Sequence, residues 1–290
     1  MAAGLRIVIS VIAYRLRKLE MANMAAAGSM AVALPGIDAR PFPFVDIVVR
    51  VLFAFLLNAL VYLNNDYIDV AIDLQSSGKD NEKSRYLASN MRAALWAQLM
   101  MLGLLVVAAL VYDRGLLVPL IAGGGICWWY SAKLKHAPPW DIVAMMIWGV
   151  TMPLVGSPAD SVLGWALSLQ LGLFSGVFET IQVMRDADED AKEGVRTTGV
   201  MLGKQKSGML ARVLMVLCTV YAGLVLHPWV AAVTIVALLI PCRDDAIEQY
   251  WTRVKMVYGV AWLMLCAWVF FEGRSAGMLW SVDAAAKLGS

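Results

Sequence analysis

The sequence predicts an all-α integral membrane protein, and three observations carry that prediction. Of 290 residues, 60% are hydrophobic and 16% charged, with a mean hydropathy of +0.68; a soluble globular chain is nearer half apolar and a quarter charged. Long apolar runs alternate with short polar loops, the pattern of a multi-span helical protein. Lipid offers no partner to unpaired backbone groups, so helices satisfy the chain where it meets lipid. The same composition excludes disorder, a coiled coil and a secreted disulfide scaffold. A net charge of +2 is too small to suggest a nucleic-acid partner.

Residues 4–19 read as an amphipathic surface helix. Apolar segments follow at 21–36, 45–64, 93–112, 115–130, 139–155, 162–183, 208–226, 228–241 and 254–271, which predicts nine transmembrane helices. The runs at 21–36, 115–130 and 228–241 are the weakest, being shorter than the ~20 residues that cross a bilayer comfortably. Placing the N-terminus and every second loop on one side puts nineteen of the 24 Lys and Arg there. Only Arg40, Arg50, Arg114, Arg274 and Lys287 fall on the other. Basic residues favour the cytoplasmic side, so the N-terminus and the charged loops are expected there. Eleven Trp and nine Tyr suit interfacial anchoring in membrane lipid. The first stretch lacks a cleavable signal, since Arg15, Arg17 and Lys18 follow its apolar residues. One domain is expected over 1–283, with 284–290 an added tail. Two charged loops four spans apart suggest two four-helix units plus a ninth helix around a central cavity.

Cysteine and histidine add little. Cys127, Cys218, Cys242 and Cys266 lie in or beside apolar runs without metal-ligand spacing and read as reduced packing residues. His136 and His227 are too few and too separated for a His-based metal site.

The chemistry sits in the two loops. The first reads Asn65-Asp66-Tyr67-Ile68-Asp69-Val70-Ala71-Ile72-Asp73. If the second span continues as helix, Asn65, Asp69 and Asp73 share one face, with Asp66 beside them. Like charges at that spacing repel, so the stack calls for a cation. Mg²⁺ fits, because it prefers oxygen ligands and takes one or two carboxylates together with water and substrate phosphate. The second loop reads Arg185-Asp186-Ala187-Asp188-Glu189-Asp190, where Asp186 and Asp190 again share a face. Two acidic faces at one depth can hold Mg²⁺ ions with a diphosphate between them. Lys79, Lys83, Arg85, Lys133, Lys135, Arg185, Lys192 and Arg196 supply positive charge for the rest of the phosphate. Glu179 lies inside an apolar span one or two turns before Asp186, and an ionisable group there is a functional candidate. A single charged loop is usually only a solvated loop; two with matched spacing on one side are not.

These residues resemble the UbiA superfamily of intramembrane prenyltransferases. Asn65, Asp66, Asp69 and Asp73 match the family's first motif in full, and Asp80, Asn81 and Arg85 look like the loop after it. Arg85-Tyr86-Leu87 stands where the family usually has Arg-Pro-Leu. Tyr130-Ser131 with Lys133 and Lys135 resembles the Tyr-Ser…Lys element after the fourth span. Asp186, Asp190, Gly194 and Thr197 match the second motif, with Arg196 in place of the usual Lys, and Leu202-Gly203 also fits. The resemblance covers about residues 15–270.

It implies a prenyl diphosphate substrate whose chain is buried between helices. Mg²⁺ would be bound by Asn65, Asp66, Asp69, Asp73, Asp186 and Asp190. The implied catalytic residues are Asp69, Asp73, Asp186, Asp190 and Tyr130. Asn65, Lys79, Lys83, Arg85, Lys133, Lys135 and Arg196 would hold the diphosphate, and Glu179, Asn23 and Phe178 would line the pocket. Neutralising the leaving group lets the allylic C–O bond ionise. Aromatic faces can stabilise the cation; Trp128, Trp129, Tyr130, Trp148, Phe174 and Phe178 lie on spans able to contribute. The prenyl group then passes to a small aromatic or other lipophilic acceptor, or, in a terpene cyclase, to the substrate's own double bond. Family members using an aromatic acid often show Arg and then Asp-Arg/Lys-Pro opening the first span. Here residues 15–23 lack that Pro, which argues against a plain hydroxybenzoate acceptor. A transporter with acidic ion sites is the distant alternative, disfavoured because such sites lie near the midplane in broken helices.

Overall fold

The apolar runs fold as helices, and two of them extend through the acidic motifs. The computed structural model describes residues 2–17, 21–33, 43–74, 81–192 and 194–272, and among these there is helix but no strand. Helix α1 is Ala2–Arg17, α2 Ala22–Val32, α3 Phe44–Asp73, α4 Asn81–Ser89 and α5 Met91–Val111. A 3₁₀ turn and a π turn at Pro119–Gly123 lead into α6, Gly124–Ala132. Then come α7 Trp140–Thr151, α8 Val162–Lys192, α9 Thr198–Tyr221, α10 Pro228–Leu239 and α11 Ile247–Glu272.

Among the described residues, six helical segments are long and apolar enough to cross a membrane: 44–73, 91–111, 114–132, 162–192, 198–226 and 244–271. Two shorter apolar stretches, Trp140–Gly156 and Pro228–Leu239, stand beside them. The segment expected to be weak at 115–130 is thus one of the long ones. The 139–155 segment is short instead, because Pro153 turns the chain into a 3₁₀ helix. The Cys residues are all free, as expected.

Helix α8 is the centre of the bundle. Leu167, Val177 and Ile181 are fully buried, and α7, α9 and α11 pack around it. In lipid this packing rests on close van der Waals contact, which small residues permit. A Cβ on Gly149 of α7 would lie 2.5 Å from the Ser175 Cβ of α8, and one on Gly172 would lie 2.3 Å from Val150. Gly199 is tighter still: a Cβ there would sit 1.9 Å from the Val183 carbonyl oxygen. Gly203, at φ +72°, bends α9 soon after its start.

The helices give the bundle two distinct ends. Along α3, Asp46 and Asp69 are about 35 Å apart at 1.5 Å per residue. At the Asp46 end, buried Arg50 donates to Asp46 (3.1 Å), Asp113 (2.5 Å) and the carbonyls of Val155 (3.0 Å) and Ser157 (3.3 Å). A cavity of about 650 Å³ opens there beside Tyr112 and Pro158. The acidic motifs occupy the opposite end.

Gly199→Ala drives a methyl group into backbone, and overpacking of this kind costs about 1–3 kcal/mol. Its melting temperature in detergent falls below wild type. Gly103→Ala, whose Cβ meets nothing within 4 Å, leaves the melting temperature unchanged or raised. Equal melting of the two variants contradicts the tight α8–α9 contact.

Candidate active site

Because α3 runs to Asp73, the first motif is helical throughout, and Asn65, Asp69 and Asp73 form one row. Asp66, Asp69 and Asp73 are buried. Each flank of the row meets a different element. On one, the Ser131 hydroxyl of α6 donates to Asn65 Oδ1 (3.0 Å), and the Lys135 ammonium pairs with Asp69. On the other, Asp66 accepts from Arg15 of α1 (2.7 Å) and Lys83 of α4 (2.8 Å).

The second motif ends a helix in a defined way. Gly194 has φ +72°, the left-handed region that glycine enters without a Cβ penalty. Its N–H donates to the Ala191 carbonyl (3.3 Å), and the Val195 N–H donates to the Asp190 carbonyl (2.8 Å). This paired pattern satisfies the last carbonyls of α8. Thr197 then caps α9: its hydroxyl accepts from Val200 N–H (3.3 Å) and donates to Asp190 Oδ2 (3.1 Å). Asp186 takes a two-pronged bond from Arg185 (2.6 and 2.9 Å), whose third donor reaches Glu248 of α11 (2.9 Å).

Helix α6 and the start of α7 join the two motifs. Consecutive residues of α6 point both ways: Ser131 to Asn65 on α3, and Tyr130, whose hydroxyl donates to Glu179 Oε1 on α8 (2.9 Å). Asp141, fully buried at the start of α7, accepts from the Thr198 N–H (2.6 Å), the Thr198 hydroxyl (2.5 Å) and its neighbour Ile142 N–H (2.9 Å). The Asp-bearing ends of α3 and α8 therefore sit at the same end of the bundle, either side of α6. Partial desolvation and the adjacent Lys135 charge hold the His136 imidazole below its ordinary range, which favours its neutral form.

The UbiA prenyltransferase family model matches residues 22–244. This chain belongs to the UbiA prenyltransferase family. Among its relatives are 4-hydroxybenzoate octaprenyltransferases. That of Shewanella sp. (strain ANA-3) is 24% identical over 60% of this chain and 65% of its own length. That of Xanthomonas oryzae pv. oryzae (strain PXO99A) is 28% identical over 48% of each. The chain thus spans about half to two thirds of those relatives. A structure of digeranylgeranylglyceryl phosphate synthase superposes with a TM-score of 0.70 at 18% identity, covering 92% of this chain and 99% of the other. A UbiA homolog from Archaeoglobus fulgidus bound to GPP and Mg²⁺ superposes at 0.66 and 15% identity, with the same coverage. These likenesses establish a shared fold.

Other motif residues of this UbiA-family chain are placed less centrally. Arg85, Lys133 and Arg196 are exposed, and Lys79 and Asp80 lie outside the described residues. Trp128 and Trp129 are more than half exposed, so they face outward from the bundle. Phe174 stacks on Tyr258 of α11 at 4.1 Å, and Phe178 lies 5.9 Å from the same ring; both fill the α8–α11 core. Asn23 is half-buried in the first turn of α2. Two participants escaped the sequence reading as site residues. Asp141 stands outside both acidic motifs, and Arg15 falls in the stretch 4–19 read as a surface helix. The i, i+4, i+8 row of Ile7, Val11 and Arg15 was the available signal for the second.

The donors at this end suit Mg²⁺: carboxylates of Asp69, Asp73, Asp186 and Asp190 and the amide oxygen of Asn65 are all hard oxygen ligands. Among the described residues, no three His, Cys, Asp or Glu side chains converge as a ready-made cage. Mg²⁺ does not need one, since water and substrate phosphate complete its shell.

Asp141→Ala orphans the buried Thr198 N–H and hydroxyl, each at about 1–3 kcal/mol. The variant unfolds at lower temperature in detergent than wild type, by more than Asp160→Ala does. A wild-type melting curve for Asp141→Ala contradicts the clasp.

Proposed function

We propose that this chain is a Mg²⁺-dependent membrane prenyltransferase. It ionises an allylic prenyl diphosphate and passes the prenyl group to a small aromatic or other lipophilic acceptor. The observation that carries the reading is the bridge of Tyr130 and Ser131, which ties both Asp-bearing helix ends to one end of the bundle. Asn65, Asp69, Asp73, Asp186 and Asp190 would hold Mg²⁺ through hard oxygen donors. When bound, Mg²⁺ neutralises the diphosphate and makes it a better leaving group.

The chain's own residues do the rest. Lys135, close to Asp69, shares the phosphate charge, Lys83, Arg85, Lys133 and Arg196 add to it from the rim, and Lys79 belongs to the same basic set by its place in the sequence. The allylic C–O bond breaks with both electrons on the diphosphate. A bond then forms between the freed allylic carbon and the acceptor, which loses a proton. Glu179, held by Tyr130, lines the pocket beside the reacting carbon. The apolar core of α7 and α8 keeps water from the cation. Relatives named 4-hydroxybenzoate octaprenyltransferases support an aromatic acceptor, while residues 15–23 depart from the aromatic-acid pattern and Arg15 is committed to Asp66. We place nine crossings in the membrane, the six long segments with α2, α7 and α10, and put the N-terminus and the motif end on the cytoplasmic side, as the basic-residue bias supports.

Asp69→Ala and Asp190→Ala each cut diphosphate release by roughly 10²-fold or more, while the purified protein keeps its wild-type elution profile. Wild-type turnover in either refutes a site shared by the two motifs. Chelation abolishes activity and added Mg²⁺ restores it; turnover indifferent to chelator refutes metal-assisted ionisation. Geranyl, farnesyl and geranylgeranyl diphosphate are each consumed only when an acceptor is present. Cyclic hydrocarbon or alcohol formed without acceptor identifies a cyclase instead.

A further inference from the structure

The first motif contains Asn65 and three aspartates, and one aspartate is buried with a cation on each of its oxygens. Asp66 is 2% exposed. Its Oδ1 accepts from Arg15 Nη2 at 2.7 Å and its Oδ2 from Lys83 Nζ at 2.8 Å, so each carboxylate oxygen carries its own cation. Those cations are in turn seated on rings. The Arg15 guanidinium lies 4.5 Å from the Tyr62 centroid, one turn before Asp66 on α3, and the Lys83 ammonium lies 4.3 Å from Tyr14. Arg6 of α1 lies 4.5 Å over Tyr86 of α4. Three helices are therefore tied at one carboxylate. The face of α1 that makes this contact is the row of Ile7, Val11 and Arg15, whose first two members are buried.

We infer that Asp66 is a positioning residue and not a metal ligand: it holds Arg15 and Lys83, and through them α1 and α4, against the side of the Asp69–Asp73 row away from α6. The inference rests on the proposed diphosphate site. Mg²⁺ at Asp66 would have to displace or sit against two cations already buried on it, and removing one member of such a cluster leaves an uncompensated charge; Asp186, 36% exposed and facing the single guanidinium of Arg185, carries no such restriction. Asn65, Asp69 and Asp73 then form the ligand row on α3. Asp66, three residues before Asp69, fixes the positive rim next to it.

The test compares Asp66→Asn, Asp69→Asn and Arg15→Gln in detergent. Three quantities are read: the Mg²⁺ concentration giving half-maximal geranyl diphosphate binding, the KM and kcat for that diphosphate, and hydrogen exchange over residues 2–17. Asp66→Asn and Arg15→Gln each raise KM about tenfold, as loss of a partner behind a site typically does. Their kcat and Mg²⁺ half-saturation stay within twofold of wild type, because the lost interaction acts on ground and transition state alike. Both speed exchange in α1, and the double variant is no worse than either single one. Asp69→Asn instead shifts the Mg²⁺ requirement. If Asp66→Asn shifts Mg²⁺ half-saturation as Asp69→Asn does, or leaves KM and exchange unchanged, the inference fails. Should Asp66→Asn not fold, Arg15→Gln decides alone: an unchanged KM overturns the inference. A wild-type protein that binds no geranyl diphosphate with Mg²⁺ overturns the proposed function itself, which is a separate result.

Discussion

A carboxylate carried on a membrane helix must be neutralised, and that constraint organises the motif end of this bundle. Moving an unpaired carboxylate out of water costs several kcal/mol even after relaxation. Asp66, Asp69 and Asp186 meet it with basic side chains from four elements: α1, α4, the turn after α6, and α8 itself. Asp190 and Asp141 meet it with hydroxyl and backbone donors. The surrounding helices and turns are arranged to deliver those partners. Helix α4 carries Lys83 to Asp66, and the 3₁₀ turn directly after α6 carries Lys135 to Asp69.

The far end of the bundle solves the same problem differently. Arg50 is 4% exposed and has four protein acceptors around it. Such a closed network acts as a rivet joining α3 to the turns after α5 and α7. At the motif end, Arg85, Lys133 and Arg196 remain exposed, and Lys135 keeps 16% of its side chain open. Charges left open to solvent can exchange their partners for phosphate oxygens. One end thus closes its charges on one another while the other keeps basic side chains open, which is the asymmetry the proposed diphosphate site requires.

Between the ends, close packing sets the geometry. Glycines on α7, α8 and α9 let neighbouring backbones approach until a single methyl group would collide. In lipid, where apolar burial gives little drive between helices, that fit fixes their relative rotation. The rotation of α8 aims Glu179 at Tyr130 and presents Asp186 and Asp190 at the rim. Gly194 then stops the helix, and Thr197 and Asp141 anchor the start of α9 against it. The motif spacing from Asp186 to Thr197 is therefore a structural sequence as well as a chemical one: an acidic row, a helix stop and a cap.

Much of this was legible in the residues. Apolar periods and clustered charge determined helices and membrane residence, because lipid permits few other arrangements. The fourfold spacing of Asn65, Asp69 and Asp73 determined that they share a face, since a helix places every fourth residue there. What periodicity does not contain is distance between elements. That Arg15 would reach Asp66, that Tyr130 would bond Glu179 across two helices, that Asp141 would clasp Thr198, and that Phe178 would turn to Tyr258 all depend on how helices are rotated against one another. Residues 51, 49, 57 and 80 positions apart meet only through that packing. Local pattern decided which residues could carry charge or ligand; the tertiary structure alone decided which of them are committed to one another.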